Sequence, residues 1–484
     1  MRTTSYTQHS ATVHEHRFEI PLDHRIPSGA GNPSIEIFAR EVIRPGGEDL
    51  PHLVFMQGGP GSGGPRPGDF RSDWIGRALQ DYRVVLLDQR GTGQSTWLDA
   101  SAVDALVLRS RASSLLPTPL DEGDAPRGTG APGSGAALVE GTGEAPTDAE
   151  RARVLSLFRQ DQIVWDAEVV RRELAGDRPW TSLGQSFGGF INTAYLSLAP
   201  EGLEAVLYTG GLPALTHVDG NYRLTYERTA ARNRAYFARY PGDERTVREV
   251  AAHLRDTEEL LPTGERLSPA RFRSIGMGLG TTTAFDQLHY ALEGPWARPV
   301  VSDGRGAGRG RRLSGAFLRD IGTRVAMEPL YGVLQEFIYA CATPELMGTA
   351  TNWSAERLAA DLPGFRPDAD PLDWSEPYFL TGEHMPRAFF AEDPALRPLA
   401  GATDVLAHTT DVSPVYLPEI LRENSVPGAA AVYFDDMFVP RETSLDTAAT
   451  IRGLRTWVTS EHQHDGLRAS GGAVLDHLLG VLRD

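Results

Sequence analysis

Apolar residues recur along this chain in two rhythms, and the rhythm changes twice. Up to about residue 214, short apolar runs alternate with longer amphipathic ones. Residues 16–21 and 35–42 alternate or run apolar and read as the opening strands of a sheet. Residues 53–56 (Leu-Val-Phe-Met), 82–87 (Tyr-Arg-Val-Val-Leu-Leu) and 205–209 (Ala-Val-Leu-Tyr-Thr) are short and bounded by turn residues, as buried strands are. Within 149–174, Leu155, Phe158, Ile163, Ala167 and Val170 fall near helical spacing, which predicts a helix. From 215 to 426 the texture is helical, with long segments at 222–240, 244–261, 319–341 and 354–362. A buried strand returns at 429–434 (Ala-Ala-Ala-Val-Tyr-Phe), followed by helices read at 447–457 and 473–482. Two stretches rich in glycine, 117–146 and 303–310, carry little apolar content and read as mobile surface insertions.

Strands alternating with helices imply an α/β fold with a doubly wound, mostly parallel sheet. The expected layout is a core from 1–214 and 427–484 with a helical domain, 215–426, inserted late between two of its strands. In such sheets ligands sit at the carboxyl ends of the strands, so the insertion would roof the site.

Composition narrows the function class only a little. The chain has 484 residues, 40% hydrophobic and 23% charged, which suits a large globular protein. No apolar run approaches the roughly 20 residues a membrane helix needs, and the polar first 19 residues lack a signal-peptide h-region. The single cysteine, Cys341, cannot form an intramolecular disulfide or a zinc cluster, so a cytoplasmic home is expected. A net charge of −17 argues against nucleic acid as the partner and mildly favours cationic ligands.

The candidate chemistry centres on residues 180–189, Trp-Thr-Ser-Leu-Gly-Gln-Ser-Phe-Gly-Gly. A short extended run leads in, and a helix-like run, 190–199, leads out and stops at Pro200. Gly-x-Ser-x-Gly in that setting is what a nucleophile elbow needs, with Ser186 exposed on a turn too sharp for bulky neighbours. Alone the pattern is weak, since chance would produce it about 0.3 times in a chain this long. The rest of the chain supplies the partners. A serine needs a histidine base and an acid to orient it, in the chain order Ser, Asp, His. Ser186, Asp436 and His464 satisfy that order, with Asp435 as rival acid and His462 as rival base. The glycine run 57–64 after the strand 53–56 reads as an oxyanion loop, and the backbone N–H groups of Gly59 and Phe187 are the expected donors. Asp88 and Arg90, at the exit of the strand 82–87, are read as structural. Aspartate would be needed at the elbow for the usual epoxide or halide chemistry, and Ser186 stands there instead.

Five segments together carry a family resemblance: Gln57-Gly-Gly-Pro-Gly61, Asp88-Gln-Arg-Gly-x-Gly-x-Ser95, Gly184-Gln-Ser-Phe-Gly-Gly189, Asp436-Met-x-Val439 and His464-Asp-Gly466. They resemble the proline iminopeptidase (prolyl aminopeptidase) family of α/β-hydrolase serine peptidases. Residues 278–296, 352–356 and 381–384 resemble segments of its larger members. The resemblance implies the α/β-hydrolase fold, removal of an N-terminal proline from small peptides with a free N-terminus, and no cofactor or metal. It prefers Asp436 over Asp435 and His464 over His462. Where the family's glycine loop opens with histidine, this chain has Gln57. An exopeptidase must offset the lost hydration of the substrate's terminal cation with carboxylates, and these are expected in the inserted domain at Glu356, Glu383 and Glu336. An esterase or amidase on the same triad, acting on small uncharged substrates, is the alternative, and a non-catalytic binding protein a more remote one.

Overall fold

The structure is a computed structural model that describes residues 1–27, 31–66, 68, 73–115, 144–297 and 311–483. The insertions expected at 117–146 and 303–310 therefore lie outside the described residues, save for 144–146.

Nine strands form one sheet: β1 (Arg2–Gln8), β2 (Ala11–Pro21), β3 (Ser34–Ile43), β4 (His52–Met56), β5 (Arg83–Asp88), β6 (Trp180–Gln185), β7 (Leu203–Thr209), β8 (Gly428–Tyr433) and β9 (Leu454–Thr459). Their spatial order is β1-β2-β3-β5-β4-β6-β7-β8-β9. The six strands from β5 to β9 in that order run parallel, and β1, β2 and β3 add an antiparallel edge. This is the doubly wound, mostly parallel sheet expected from the alternating pattern, and it fits the α/β-hydrolase fold that the family resemblance implies.

Each central strand is buried on both faces, and its residues alternate between two cores. Leu53 and Phe55 of β4, with Leu183 and Leu207, meet Trp74, Ile75, Leu475 and Leu478 on one face. Val54 and Met56, with Tyr208, meet the helices Gln160–Ala175 and Phe187–Leu198 on the other. That two-sided burial is why β4, β5 and β8 read as nearly continuous apolar runs, while β6 buries Thr181 and Ser182 as well.

The chain leaves the sheet at Thr209 and returns at Gly428, and among the described residues every regular element between is helical. The longest is the helix Val218–Arg239. It is tied to the helix Ser354–Ala359 through the Tyr226 hydroxyl, which donates to the Ala355 carbonyl at 2.8 Å.

Several boundaries differ from the sequence reading, each for a local reason. The helix expected over 149–174 is two helices, Asp148–Leu155 and Gln160–Ala175, because Arg159 is extended. The Arg159 guanidinium instead holds the Ala340 and Ser413 carbonyls at 2.9 and 2.7 Å. The helix expected over 319–341 breaks between Val325 and Pro329, where proline opens a new helix and cannot continue the old one. The helix expected over 447–457 ends at Thr450, and after Gly453 (φ 79°) the chain becomes the edge strand β9. The hydrophobic pattern gives no sign of β1; as an outer strand it is exposed along nearly its whole length and has no apolar period.

Arg90 has the structural role that its position suggested. It is 1% exposed, and its Nε donates to Asp166 at 2.7 Å while Nη1 reaches the Leu22 and Leu157 carbonyls. Burial pushes the Asp166 carboxyl up, but Arg90 and His24 outweigh that and hold it below the usual carboxylate range. Arg90→Met leaves Asp166 buried without its main counterion, so unfolding is expected to become easier by about 3–5 kcal/mol. Urea titration of the purified variant checks this; a midpoint within error of wild type would show that the pair is dispensable.

Candidate active site

β6 ends at Gln185, the chain turns at Ser186, and the helix Phe187–Leu198 begins at once. The turn is tight enough to force Ser186 to φ 56° and ψ −126°, a conformation few non-glycine residues adopt. The neighbouring glycines are steric necessities. A Cβ on Gly188 would lie 1.9 Å from the Met56 carbonyl oxygen, so the helix could not approach β4. The Phe187 N–H is in the first turn of the helix, where backbone donors have no partner within the helix.

The glycine loop after β4 lies against this turn. A Cβ on Gly58 would come within 2.9 Å of the Ser186 Cβ and of the Gln185 carbonyl oxygen. The loop is anchored from β5. Asp88 accepts from the Gly64 N–H at 2.7 Å and from the Gln94 N–H at 2.7 Å, and it also pairs with Arg66. Gln89 donates to the Gln57 carbonyl at 2.8 Å. These bonds account for the loop's position with Gln57, rather than histidine, at its start.

Asp436 follows β8 and is 1% exposed. Its Oδ1 accepts from the Phe438 and Val439 N–H groups at 2.9 and 3.1 Å, and its Oδ2 accepts from His464 Nδ1 at 2.8 Å. The rival Asp435 is exposed, and His462 packs against Tyr433 and Trp457. His464 is held from the helical domain as well: its N–H donates to the Gly280 carbonyl at 3.2 Å, and Asp465 accepts from the Thr282 N–H at 2.9 Å. The Phe438 ring stands edge-on to the imidazole, 4.9 Å between centroids.

Ser186, His464, Gly58 and Gly59 line one cavity of about 340 Å³. Its roof comes from the helical insertion, through Met277, the break at Ala326–Met327–Glu328, Tyr331 and Glu383. The three cap glutamates part company here. Glu383 faces the cavity, hydrogen-bonded by Gln335; burial and the neighbouring Asp436 push its carboxyl well above the usual range. Glu336 is not among the lining residues. It accepts from the Ser354 and Ala355 N–H groups at 3.0 and 3.2 Å, capping the helix Ser354–Ala359, and burial raises its carboxyl as well. Glu356 lines a different cavity and is engaged by the Arg387 guanidinium and N–H at 2.7 Å each.

The chain is 36% identical to a proline iminopeptidase of Aeromonas sobria over 97% of its own length and 96% of that protein's. The chain belongs to the proline iminopeptidase family. It is thus a hydrolase of the prolyl aminopeptidase type. A proline iminopeptidase of Aspergillus aculeatus is 27% identical over 97% of this chain and 93% of its own. The alpha/beta hydrolase fold family matches residues 51–295. A proline iminopeptidase-related protein from Thermus thermophilus superposes over 97% of this chain and 98% of its own, at 16% identity and a TM-score of 0.35, too loosely to place residues. Among the described residues, no helix is long and apolar enough to cross a membrane.

In this member of the proline iminopeptidase family, Tyr331, Met277 and Arg468 line the cavity although the sequence reading did not single them out. Nothing local marks them; only the fold of the insertion and the last helices brings them there. Arg468, which burial makes a weaker base than usual, reaches Gln185 Oε1 at 3.4 Å beside the elbow. The fit of the glycine loop against Ser186 is testable. Gly58→Ala drives a methyl into the Ser186 Cβ and displaces the loop that carries the Gly59 N–H, so kcat is expected to fall about 10²–10³-fold, the effect of losing one oxyanion donor. A Gly58→Ala enzyme with unchanged kcat would remove the loop from the chemistry.

Proposed function

We propose that this protein is a serine exopeptidase that releases an N-terminal residue, preferentially proline, from small peptides through an acyl-enzyme. The reading rests on one arrangement: Ser186, strained on its elbow, shares a cavity with His464, which Asp436 holds through Nδ1, and with the carboxyl of Glu383.

The steps follow from the groups present. The Ser186 hydroxyl attacks the carbonyl carbon of the first residue as His464 Nε2 takes its proton, and Asp436 stabilises the imidazolium. The carbonyl electron pair moves onto oxygen, where the Gly59 and Phe187 N–H groups donate to it. Collapse of the adduct breaks the C–N bond, and His464 returns the proton to the leaving amine. Water, deprotonated by the same imidazole, then attacks the ester and frees Ser186. Glu383 is the carboxylate assigned to the substrate's terminal cation. Glu336 and Glu356 are proposed to shape the cap rather than to touch the amine. Residues 215–426 form the substrate-selecting cap in this reading, and residues 1–214 with 427–484 the catalytic core. A single buried thiol, Cys341, fits a cytoplasmic setting.

A second reading, an esterase or amidase for small uncharged substrates, is favoured by the setting of Glu383: burial and the neighbouring Asp436 raise its carboxyl, which disfavours the anion that a cationic substrate needs. Three substrates separate the two. A proline amide reporter with a free amine should turn over well, its N-acylated form poorly, and a small neutral ester independently of either. Preference for the acylated form or the ester would favour the second reading.

A further inference from the structure

The segment 381–384 is a wall between two cavities. Glu383 faces Ser186, whereas Thr381 and His384 line a second cavity of about 510 Å³ inside the cap. That volume is ample for a small organic ligand. Its buried interior is apolar, with Tyr226, Phe365 and Phe389, and its mouth is marked by the exposed Arg357, Ala360, Arg387 and Ala388.

One charge in that interior has no counterion. The described residues include six buried arginines, and Arg90, Arg159, Arg171, Arg248 and Arg271 each face a carboxylate. Arg273, 4% exposed and lining this cavity, forms no ion pair among the described residues. Its guanidinium donates to the Phe379 carbonyl at 2.7 Å, to the Arg366 carbonyl at 3.1 Å and to the Gly364 carbonyl, and lies 4.5 Å from the Tyr378 ring centre. Five N–H groups are available on a guanidinium, so donors remain. A buried cation left without a carboxylate is costly, and a ligand that brings one recovers much of that cost.

The other charges at the cavity are already matched. Glu356 is held by Arg387, and Arg357 pairs with Asp219 at 2.7 Å. Two neutral groups are not matched: Thr381 Oγ1 and His384 Nδ1 are buried without a hydrogen-bond partner among the described residues. The imidazole is stacked on Tyr226 at 3.6 Å and bonded through Nε2 to Thr225 at 2.9 Å. The Thr225 hydroxyl donates to the Tyr222 carbonyl at 3.1 Å, so Nε2 carries the ring proton and Nδ1 is left as an acceptor.

We propose that the cap cavity is a binding site for a small carboxylate with an apolar body, an aromatic or branched aliphatic acid. Its carboxylate sits against Arg273, and its hydrocarbon lies against Tyr226, Phe365 and Phe389. A ligand with a terminal ammonium is disfavoured, because the cavity's one carboxylate, Glu356, is committed to Arg387.

The test is calorimetry on the full chain with 3-phenylpropionate and its uncharged isostere 3-phenylpropanamide. The acid is expected to bind with one-to-one stoichiometry and the amide about tenfold or more weakly, as loss of a charge-assisted hydrogen bond implies. Arg273 also ties together three carbonyls, so variants at the exposed mouth carry the mapping. Ala360→Trp and Ala388→Trp should weaken the acid about tenfold, while Met277→Trp, which crowds the Ser186 cavity, should leave it unchanged. Equal affinity for acid and amide, no saturable binding of the acid, or loss of binding in Met277→Trp with none in the mouth variants would each overturn the proposal.

Discussion

Ser186→Ala is expected to fold normally, to bind substrate, and to lose about 10⁴-fold or more in kcat. In the proposed mechanism the Ser186 hydroxyl forms the ester, and His464 and Asp436 act only through it. The expectation includes the strain: alanine tolerates φ 56° no worse than serine, so the elbow should persist and the loss should be chemical. A fluorophosphonate should label wild type and not the variant, with circular dichroism unchanged. Turnover near the wild-type rate would end the serine mechanism. His464→Ala and Asp436→Asn should fall with it, and their effects should not add, because the three work as a unit. Asp435→Asn and His462→Ala should be mild, since Asp435 is exposed and His462 packs against the Tyr433 and Trp457 rings, whereas His464 is the imidazole bonded to Asp436.

Glu383→Gln should divide the substrates. Cleavage of a proline amide with a free amine is expected to drop by about 10²-fold or more, the loss of a carboxylate from a desolvated cation. A small neutral ester should be spared, because the catalytic groups are intact. The pH dependence carries a further sign. Burial and Asp436 raise the Glu383 carboxyl, so in the free enzyme its anionic form gains population only as pH rises. Wild-type kcat/KM on the proline amide should therefore climb with pH above the ordinary carboxylate range. The glutamine variant should lose that climb. Equal loss on amide and ester would indicate damage to the fold. No loss on either would dissociate Glu383 from the amine and turn attention to the esterase reading.

The glutamates show how unevenly the site can be read in advance. As residues, Glu336, Glu356 and Glu383 look alike: each is an acid in the inserted stretch 215–426, and each is a fair candidate. Glu336 in fact caps a helix, and Glu356 pairs with an arginine 31 positions away. Only Glu383 faces Ser186. Which acid meets a cavity depends on how cap helices cross one another, and no short stretch of chain encodes that.

What the amino-acid order determined by itself was local. Glycines at 184 and 188 around Ser186, a short extended run before them and a helix after, mark the elbow: a Cβ on Gly184 would meet the Gly188 carbonyl within the turn itself, at 2.4 Å, although Gly188 is needed against Met56 of β4. Buried parallel strands declare themselves through continuous apolar runs, since both faces are covered. Edge strands do not, and Arg2–Gln8 and Leu454–Thr459 are the examples: exposure leaves too few apolar positions to set a period. The tertiary structure decided the rest. It cut the expected helices at Arg159 and Pro329, where a guanidinium found distant carbonyls and a proline lacked its donor. It brought His464 of the last loop to Asp436 at 2.8 Å and set the cap residue Gly280 behind it. Those contacts join residues far apart in the chain, and their energies exist only once the sheet has brought the segments together.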